Sequence, residues 1–179
     1  PTPDKAQRIH KQLQEAKDKE PGELICIDRW GPFPHAAIVT GWRDLYGALD
    51  MGSKFRFVKG QKEINGKSAA KFVEQLVFYF STKLKKVIRT IRFDQATYFE
   101  SVEVQRVCKA NMIKMEFSAK YMHWQMGAEL IWGPMQRGAA CMLAFSKRSM
   151  GFFIHACIYE CIILNAVMGY EVAAGGDSV

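Results

Sequence analysis

What this chain lacks narrows it first. It has no CxxC pair, and its five cysteines, Cys26, Cys108, Cys141, Cys157 and Cys161, are an odd number scattered through apolar or helical stretches. That argues against a disulfide frame or a zinc finger, and for reduced, mostly buried thiols in an intracellular protein. Cys157 and Cys161 stand near His155, but a helix turns His155 away from the face that the two cysteines share, so no metal site is expected there. No His/Cys zinc domain stands ahead of the first apolar run, and any such domain would lie outside this stretch. No signal peptide opens the chain, and Pro1 stands where a Met would begin a complete protein, which suggests a piece cut from a longer one. One run, Gly151 to Gly169, approaches the length of a membrane span. It carries His155, Glu160 and Asn165, which are costly in lipid, so a buried or amphipathic helix is expected and no membrane partner.

What remains has ordinary proportions. With 179 residues, 49% hydrophobic and 24% charged, the chain is long enough for one well-buried domain and short for two. The formal charge of +7 leans toward a polyanionic partner, although many basic proteins bind none.

Residues 1–20 lack an apolar face and read as a polar linker or a solvated helix, punctuated by Pro21-Gly22. Leu24 to Trp30 reads as a strand stopped by Gly31-Pro32-Phe33-Pro34. Leu45–Asp50 and Lys54–Lys59 follow as a hairpin around Met51-Gly52-Ser53, the second strand alternating basic and apolar residues. From Lys67 the apolar period becomes helical: Ala70, Phe72, Val73, Leu76, Val77, Phe80 and Leu84 predict a helix to about Lys83. Lys85–Phe93 returns to strand. Ser101 can cap a short helix to Ala110, with Glu103 in its first turn. Met112–Phe117 alternates as a short strand. Gly127–Lys147 and Phe152–Val167 read as two closing helices, and residues 169–179 as a flexible tail. This order of elements suggests an α/β fold, a mixed sheet with helices packed on it.

Three carboxylates draw attention. Asp28 lies toward the end of the first strand, Asp94 just past the end of the fourth, and Glu129, 35 positions after Asp94, at the head of a helix. If the first and fourth strands are parallel neighbours, their acids emerge at one sheet end, where α/β folds commonly build sites. The chemistry suited to such a set is phosphoryl transfer with two divalent metals about 3.5–4 Å apart, held by hard oxygen ligands. The alternative reading is equally physical: an Asp closing a strand is often a turn residue, and a Glu opening a helix often a dipole partner.

The residues around the acids add to this. Pro21-Gly22-Glu23-Leu24-Ile25-Cys26-Ile27-Asp28-Arg29-Trp30-Gly31-Pro32-Phe33 resembles the opening of the integrase catalytic core of copia-type LTR retrotransposons. Leu49-Asp50-Met51-Gly52-Ser53-Lys54-Phe55, Ile91-Arg92-Phe93-Asp94, Phe117-Ser118-Ala119-Lys120-Tyr121 with Gln125, Gly127 and Glu129, and the helix from Phe152 to Asn165 are similar to successive segments of that core, in the same order, over roughly residues 21–166. The resemblance implies a ribonuclease H-like fold of five-stranded mixed sheet flanked by helices. It makes Asp28, Asp94 and Glu129 the catalytic and metal-binding acids of the DDE type, with Mg²⁺ or Mn²⁺. It implies DNA 3′-end processing and strand transfer by a polynucleotidyl transferase, in an oligomer, in the nucleus and in cytoplasmic virus-like particles.

Departures from that pattern cluster near the acids. Gln95-Ala96-Thr97-Tyr98 replaces the family's Asn-Gly-Gly-Glu and loses two glycines suited to a tight turn. Only Ala128 separates Gly127 from Glu129, one residue fewer than usual, and one helical residue rotates a side chain by about 100°. Pro134 falls inside the helix, where it removes the backbone bond to Leu130. A decayed element copy, or a lineage with altered loops, would show such changes. A catalytically dead ribonuclease H-like module for DNA binding or oligomerisation is therefore carried beside the integrase reading, as is another nuclease of that fold.

For DNA contact the candidates are Lys120, Tyr121, His123 and Gln125 in the loop before Glu129, with Arg92; Trp124 there could stack on a base or fill the core. Lys83, Lys85, Lys86, Arg89 and Arg92 form the densest basic run, and Lys54, Arg56 and Lys59 are expected on one strand face. A solvated face explains either group as well as DNA does.

Overall fold

The structure, a computed structural model, describes residues 19–118 and 128–168. The expected linker up to residue 18, the loop residues 119–127 and the tail 169–179 lie outside the described residues. Strand β1 (Leu24–Trp30) is followed by β2 (Asp44–Asp50), β3 (Arg56–Gln61), helix α1 (Gly66–Tyr79), β4 (Thr90–Phe93), helix α2 (Val102–Ala110), β5 (Lys114–Phe117), helix α3 (Ala128–Ser146) and helix α4 (Phe153–Val167). The five strands make one sheet in the order β3-β2-β1-β4-β5. β1–β2 and β2–β3 pair antiparallel, whereas β1–β4 and β4–β5 pair parallel. The α/β architecture expected from the sequence, a five-stranded mixed sheet flanked by helices, is the one observed.

Strand alternation divides the core in two. Ile25, Ile27, Tyr46, Ala48, Ile91 and Phe93 face one side, where Phe72, Val73 and Leu76 of α1 and Val104 and Cys108 of α2 cover them. Leu24, Cys26, Leu45, Leu49 and Val58 face the other, beneath Ile131, Trp132, Met135 and Ala139 of α3 and Phe153, Cys157 and Cys161 of α4. Four of the five thiols are buried as expected, while Cys141 is exposed. Burial pushes the Cys108 thiol up to about 11 and those of Cys157 and Cys161 up to about 12, so these stay protonated at neutral pH.

Local chemistry explains where the elements begin and end. Asn65 caps α1 in a reciprocal box with Ser68, and Ser101 caps α2 through Val104 N–H. α1 runs on through a π-helical turn, Phe80–Leu84, which Lys85 closes in the left-handed conformation at φ 54°. That closure shortens the predicted strand Lys85–Phe93 to Thr90–Phe93: Lys86 N–H bonds back to Phe80 O, and Arg89 N–H to Gly22 O. The β2–β3 turn is tied by Asp50, 1% exposed, whose carboxylate accepts from Gly22 N, Gly52 N, Ser53 N and the Ser53 hydroxyl.

The expectation that Lys54, Arg56 and Lys59 share a face is wrong. Lys54 precedes β3 at φ 65°, and positions 56 and 59 differ in parity, so Arg56 points toward α3 and α4 and Lys59 toward Phe57 and the α1 side. The Arg56 guanidinium donates through Nη2 to Leu130 O at 3.3 Å and through Nη1 to Lys54 O at 3.2 Å. Leu130 is the residue whose helical partner would be the missing N–H of Pro134, and α3 runs unbroken through that proline. Arg56 thus supplies the donor that Pro134 cannot. Burial lowers the Arg56 pKa from its usual value.

Asn165 fixes α4 to the edge strand. Its side chain accepts from Arg56 N at 2.9 Å and donates to Arg56 O at 2.7 Å, in the manner of a neighbouring strand. This accounts for a 3% exposed amide on the buried face of the helix. The segment Met150–Val167 is long and apolar enough to cross a membrane by length and composition. Here Phe153, Ile154, Cys157, Cys161 and Asn165 bury one face of it, while Tyr159 and Val167 stay exposed.

Arg56→Met is expected to lower stability against urea by about 1–3 kcal/mol, because Leu130 O loses its donor. In a Pro134→Ala background the loss should shrink, since a backbone N–H at position 134 can reach the same carbonyl. Equal losses in both backgrounds would rule out the compensation.

Candidate functional site

The site is built by strand register. In the β1–β4 pair Leu24 stands beside Thr90, and Ile27 beside Phe93. One residue further, Asp28 and Asp94 follow on strands that run in the same direction about 4.8 Å apart. Ile27 and Phe93 point into the α1–α2 core, so Asp28, next on β1, points to the side covered by α3, while Asp94 follows the last residue of β4. The backbones of the first two acids therefore stand at the same end of the sheet.

Helix α3 comes to the same place. The Trp132 indole Nε1 donates to Asp28 Oδ2 at 2.7 Å. Room for that ring exists because β2 carries Gly47 opposite Asp28. A Cβ at position 47 would stand 2.3 Å from Trp132 Cη2 and 2.9 Å from Ile131 Cγ2. Trp132 also packs at 5.5 Å from Trp30, which leads through Phe33 and Phe153 to α4. Glu129 occupies the second position of α3, three residues before Trp132. Its backbone is thus carried to the Asp28 end; its carboxylate lies outside what the structure describes.

Asp94 opens the segment that leads to α2. Its Oδ1 accepts from Gln95 N at 2.8 Å, and its backbone carbonyl from Ala96 N at 2.8 Å, a tight turn made without glycine. Further along, Tyr98 and Phe99 pack on Tyr46, and Phe99 on Phe93. Burial pushes the Tyr98 hydroxyl up to about 12, with Arg29 facing it. Arg29 is fixed in turn: its Nε and Nη2 both donate to Asp44 Oδ1, at 2.9 and 2.6 Å. Burial opposes the Arg29 charge, but Asp44 outweighs it and raises the Arg29 pKa. Arg29 follows Asp28 in the chain, so this ion pair and Tyr98 brace the segments that carry both acids.

Of the candidate DNA contacts, Lys120, Tyr121, His123 and Gln125 lie outside the described residues, as does Trp124. Arg92 stands on β4 two positions before Asp94. Its Nη2 reaches Glu116 Oε2 at 3.2 Å, and Lys114 donates to the other oxygen of Glu116 at 3.0 Å. These bonds, Lys114's first, hold the Glu116 carboxyl below the usual range. Among the described residues no group of three His, Cys, Asp or Glu side chains is gathered as a metal site.

Sequence reasoning did not find Trp132 as the partner of Asp28, nor the Arg29–Asp44 pair. The one local signal was Gly47 in the middle of a buried strand, which marks a close approach by another element.

No family model and no curated protein sequence matches the chain. Solved structures do. A chain in the cryo-electron microscopy structure of the simian T-cell lymphotropic virus intasome in complex with PP2A regulatory subunit B56 gamma superposes with a TM-score of 0.62 at 14% identity, covering 78% of this chain. The protein spans about half of that chain, 48% of its length. At this identity the likeness speaks to the fold: the five-stranded sheet and its helices are integrase-like.

Gly47→Ala should cost about 1–3 kcal/mol in denaturant unfolding, because the added methyl meets the Trp132 ring and the Ile131 methyl. A variant as stable as the wild type would mean that Trp132 does not sit over β2.

Proposed function

We propose that this protein is the catalytic core of a copia-type retrotransposon integrase, a DDE polynucleotidyl transferase that processes DNA 3′ ends and joins them to a target. The observation that carries the reading is the β1–β4 register, which sets the backbones of Asp28 and Asp94 at the same end of two parallel strands. The approach of α3 through Trp132 supports Glu129 as the third acid, since positions three apart lie one turn apart on a helix. The integrase-like fold and the intasome neighbour support DNA as substrate and an oligomer as the working form; the resemblance to retrotransposon integrases would place it in the nucleus and in virus-like particles.

The donor set fits a hard divalent cation: carboxylate oxygens at the end of a sheet, one of them oriented by an indole N–H. Bound there, Mg²⁺ or Mn²⁺ ions would supply activation of water or of a DNA 3′-hydroxyl and stabilisation of the leaving oxygen. The chain's own residues do the positioning. Asp28 holds its oxygens on β1 and Asp94 just past the end of β4, Trp132 sets the rotation of the Asp28 carboxylate, and Arg29 with Tyr98 braces the segment after Asp94. Preorganisation of this kind lets charge that develops on the phosphate meet fixed partners without reorganisation. Lys120, Tyr121, His123 and Gln125 would line the DNA path, with Arg92 set beside the acids.

The test is Mg²⁺-dependent strand transfer with a labelled oligonucleotide. The wild type should yield joined product, and Asp28→Asn and Asp94→Asn should each reduce it by roughly 100-fold or more. Undiminished DNA binding without any product would replace this reading with that of a non-catalytic DNA-binding or oligomerisation module. Cutting without joining would favour a nuclease.

A further inference from the structure

We propose that the end of the sheet opposite Asp28 and Asp94 is a second DNA-backbone contact surface, formed by Lys83, Lys85, Lys86 and Arg89. The inference rests on the reading of the protein as one that handles DNA, and it concerns a surface apart from the acids. Between Glu74 and Asp94 the chain has no acidic residue, while five cations fall within it. Arg92 is matched by Glu116. The other four are all exposed. Among the described residues no carboxylate pairs with Lys83, Lys85 or Lys86, and Glu23, the acid that feels the Arg89 charge, is already bonded to Lys19 at 2.7 Å.

The segment bearing these charges is held rigidly. Lys86 N–H bonds to Phe80 O at 3.0 Å, Arg89 N–H to Gly22 O at 2.8 Å, and Lys114 N–H to Arg89 O at 2.9 Å. Ile88 is buried between them at 3% exposure. Gly22, at φ 85°, lets the two segments touch: a Cβ there would stand 2.4 Å from Val87 O. The cations therefore rise from a fixed backbone, so binding need order little beyond the side chains themselves. Lys114, its side chain 71% exposed, is bonded to Glu116 at 3.0 Å and, like Arg92, is not counted in this surface.

The geometry separates this surface from the acids. The basic segment enters β4 and Asp94 leaves it, so the four residues Thr90–Phe93 stand between, about 13 Å of strand. Lys83 and Arg89 are at most about 20 Å apart along the chain, a span over which a duplex presents roughly a dozen charges. Isolated point charges suit phosphates and read no sequence. A protein interface would call for aromatic or aliphatic anchors at its centre, and Val87 is the one large apolar side chain exposed between Lys85 and Arg89.

Fluorescence anisotropy with a labelled duplex, in the absence of divalent metal, tests this. A Lys83→Gln, Lys86→Gln, Arg89→Gln variant should bind at least about tenfold more weakly near 0.1 M salt, and its log–log salt slope should fall by about 2–3, near 0.9 for each lost contact. Asp28→Asn with Asp94→Asn should bind as well as the wild type or better. Circular dichroism should show the same fold in each. Unchanged affinity and slope in the triple variant would overturn the proposal. Tighter, charge-dependent binding to phosphatidylserine vesicles than to the duplex would overturn it in favour of a membrane surface. A wild type that transfers no strand yet loses duplex affinity on the triple substitution would remove the catalytic reading and leave this surface supported.

Discussion

The parallel pairing of β1 with β4 is the constraint on which the rest depends. Parallel neighbours must leave the sheet at the same end, and their side chains must alternate in step. With Ile27 level with Phe93, the apolar partners enter the α1–α2 core and Asp28, next on β1, points to the opposite side, against Trp132. A slip of one residue would send Asp94 into the core and Phe93 out of it. The aromatic contacts of Phe93 with Phe99 and Phe117 oppose such a slip, so packing of the residue next to Asp94 fixes the register.

The second requirement is a seat for α3, and it is met by residues from three strands. Gly47 of β2 clears space for the Trp132 ring, Asp28 of β1 receives its N–H, and Arg56 of β3 takes the Leu130 carbonyl. Pro134, which on sequence grounds should damage the helix, is tolerated because its lost donor is replaced from outside. Asn165 then ties α4 to the same edge strand, which leaves the backbone of β3 partly covered where an open edge would invite other chains.

Much of this was legible in the sequence. β1 has the bounds its apolar run predicts, the β2–β3 hairpin turns where expected, and Ser101 caps α2. These features are local, set by period and by turn chemistry. What stayed hidden depends on residues distant in the chain. Trp132 and Asp28 are 104 positions apart, and Arg56 and Asn165 are 109. Alternation of basic and apolar residues in β3 suggested a wet basic face, but the tertiary fold brought a helix against Arg56. The strand predicted from Lys85 begins five residues later, because the left-handed Lys85 and the bonds to Phe80 and Gly22 hold that segment out of the sheet. Asp28 and Asp94 were legible as strand-end acids; that their strands are parallel neighbours, with both acids at one end of the sheet, needed the strand order.

The central claim is that Asp28 and Asp94 share a divalent metal. A crystal of the protein soaked in Mn²⁺ and measured at the manganese absorption edge tests it most directly. An anomalous peak about 2.1 Å from oxygens of both carboxylates, lost in Asp94→Asn, is the predicted result. Ordered carboxylates at the two positions, with no anomalous peak between them at millimolar Mn²⁺, would contradict it.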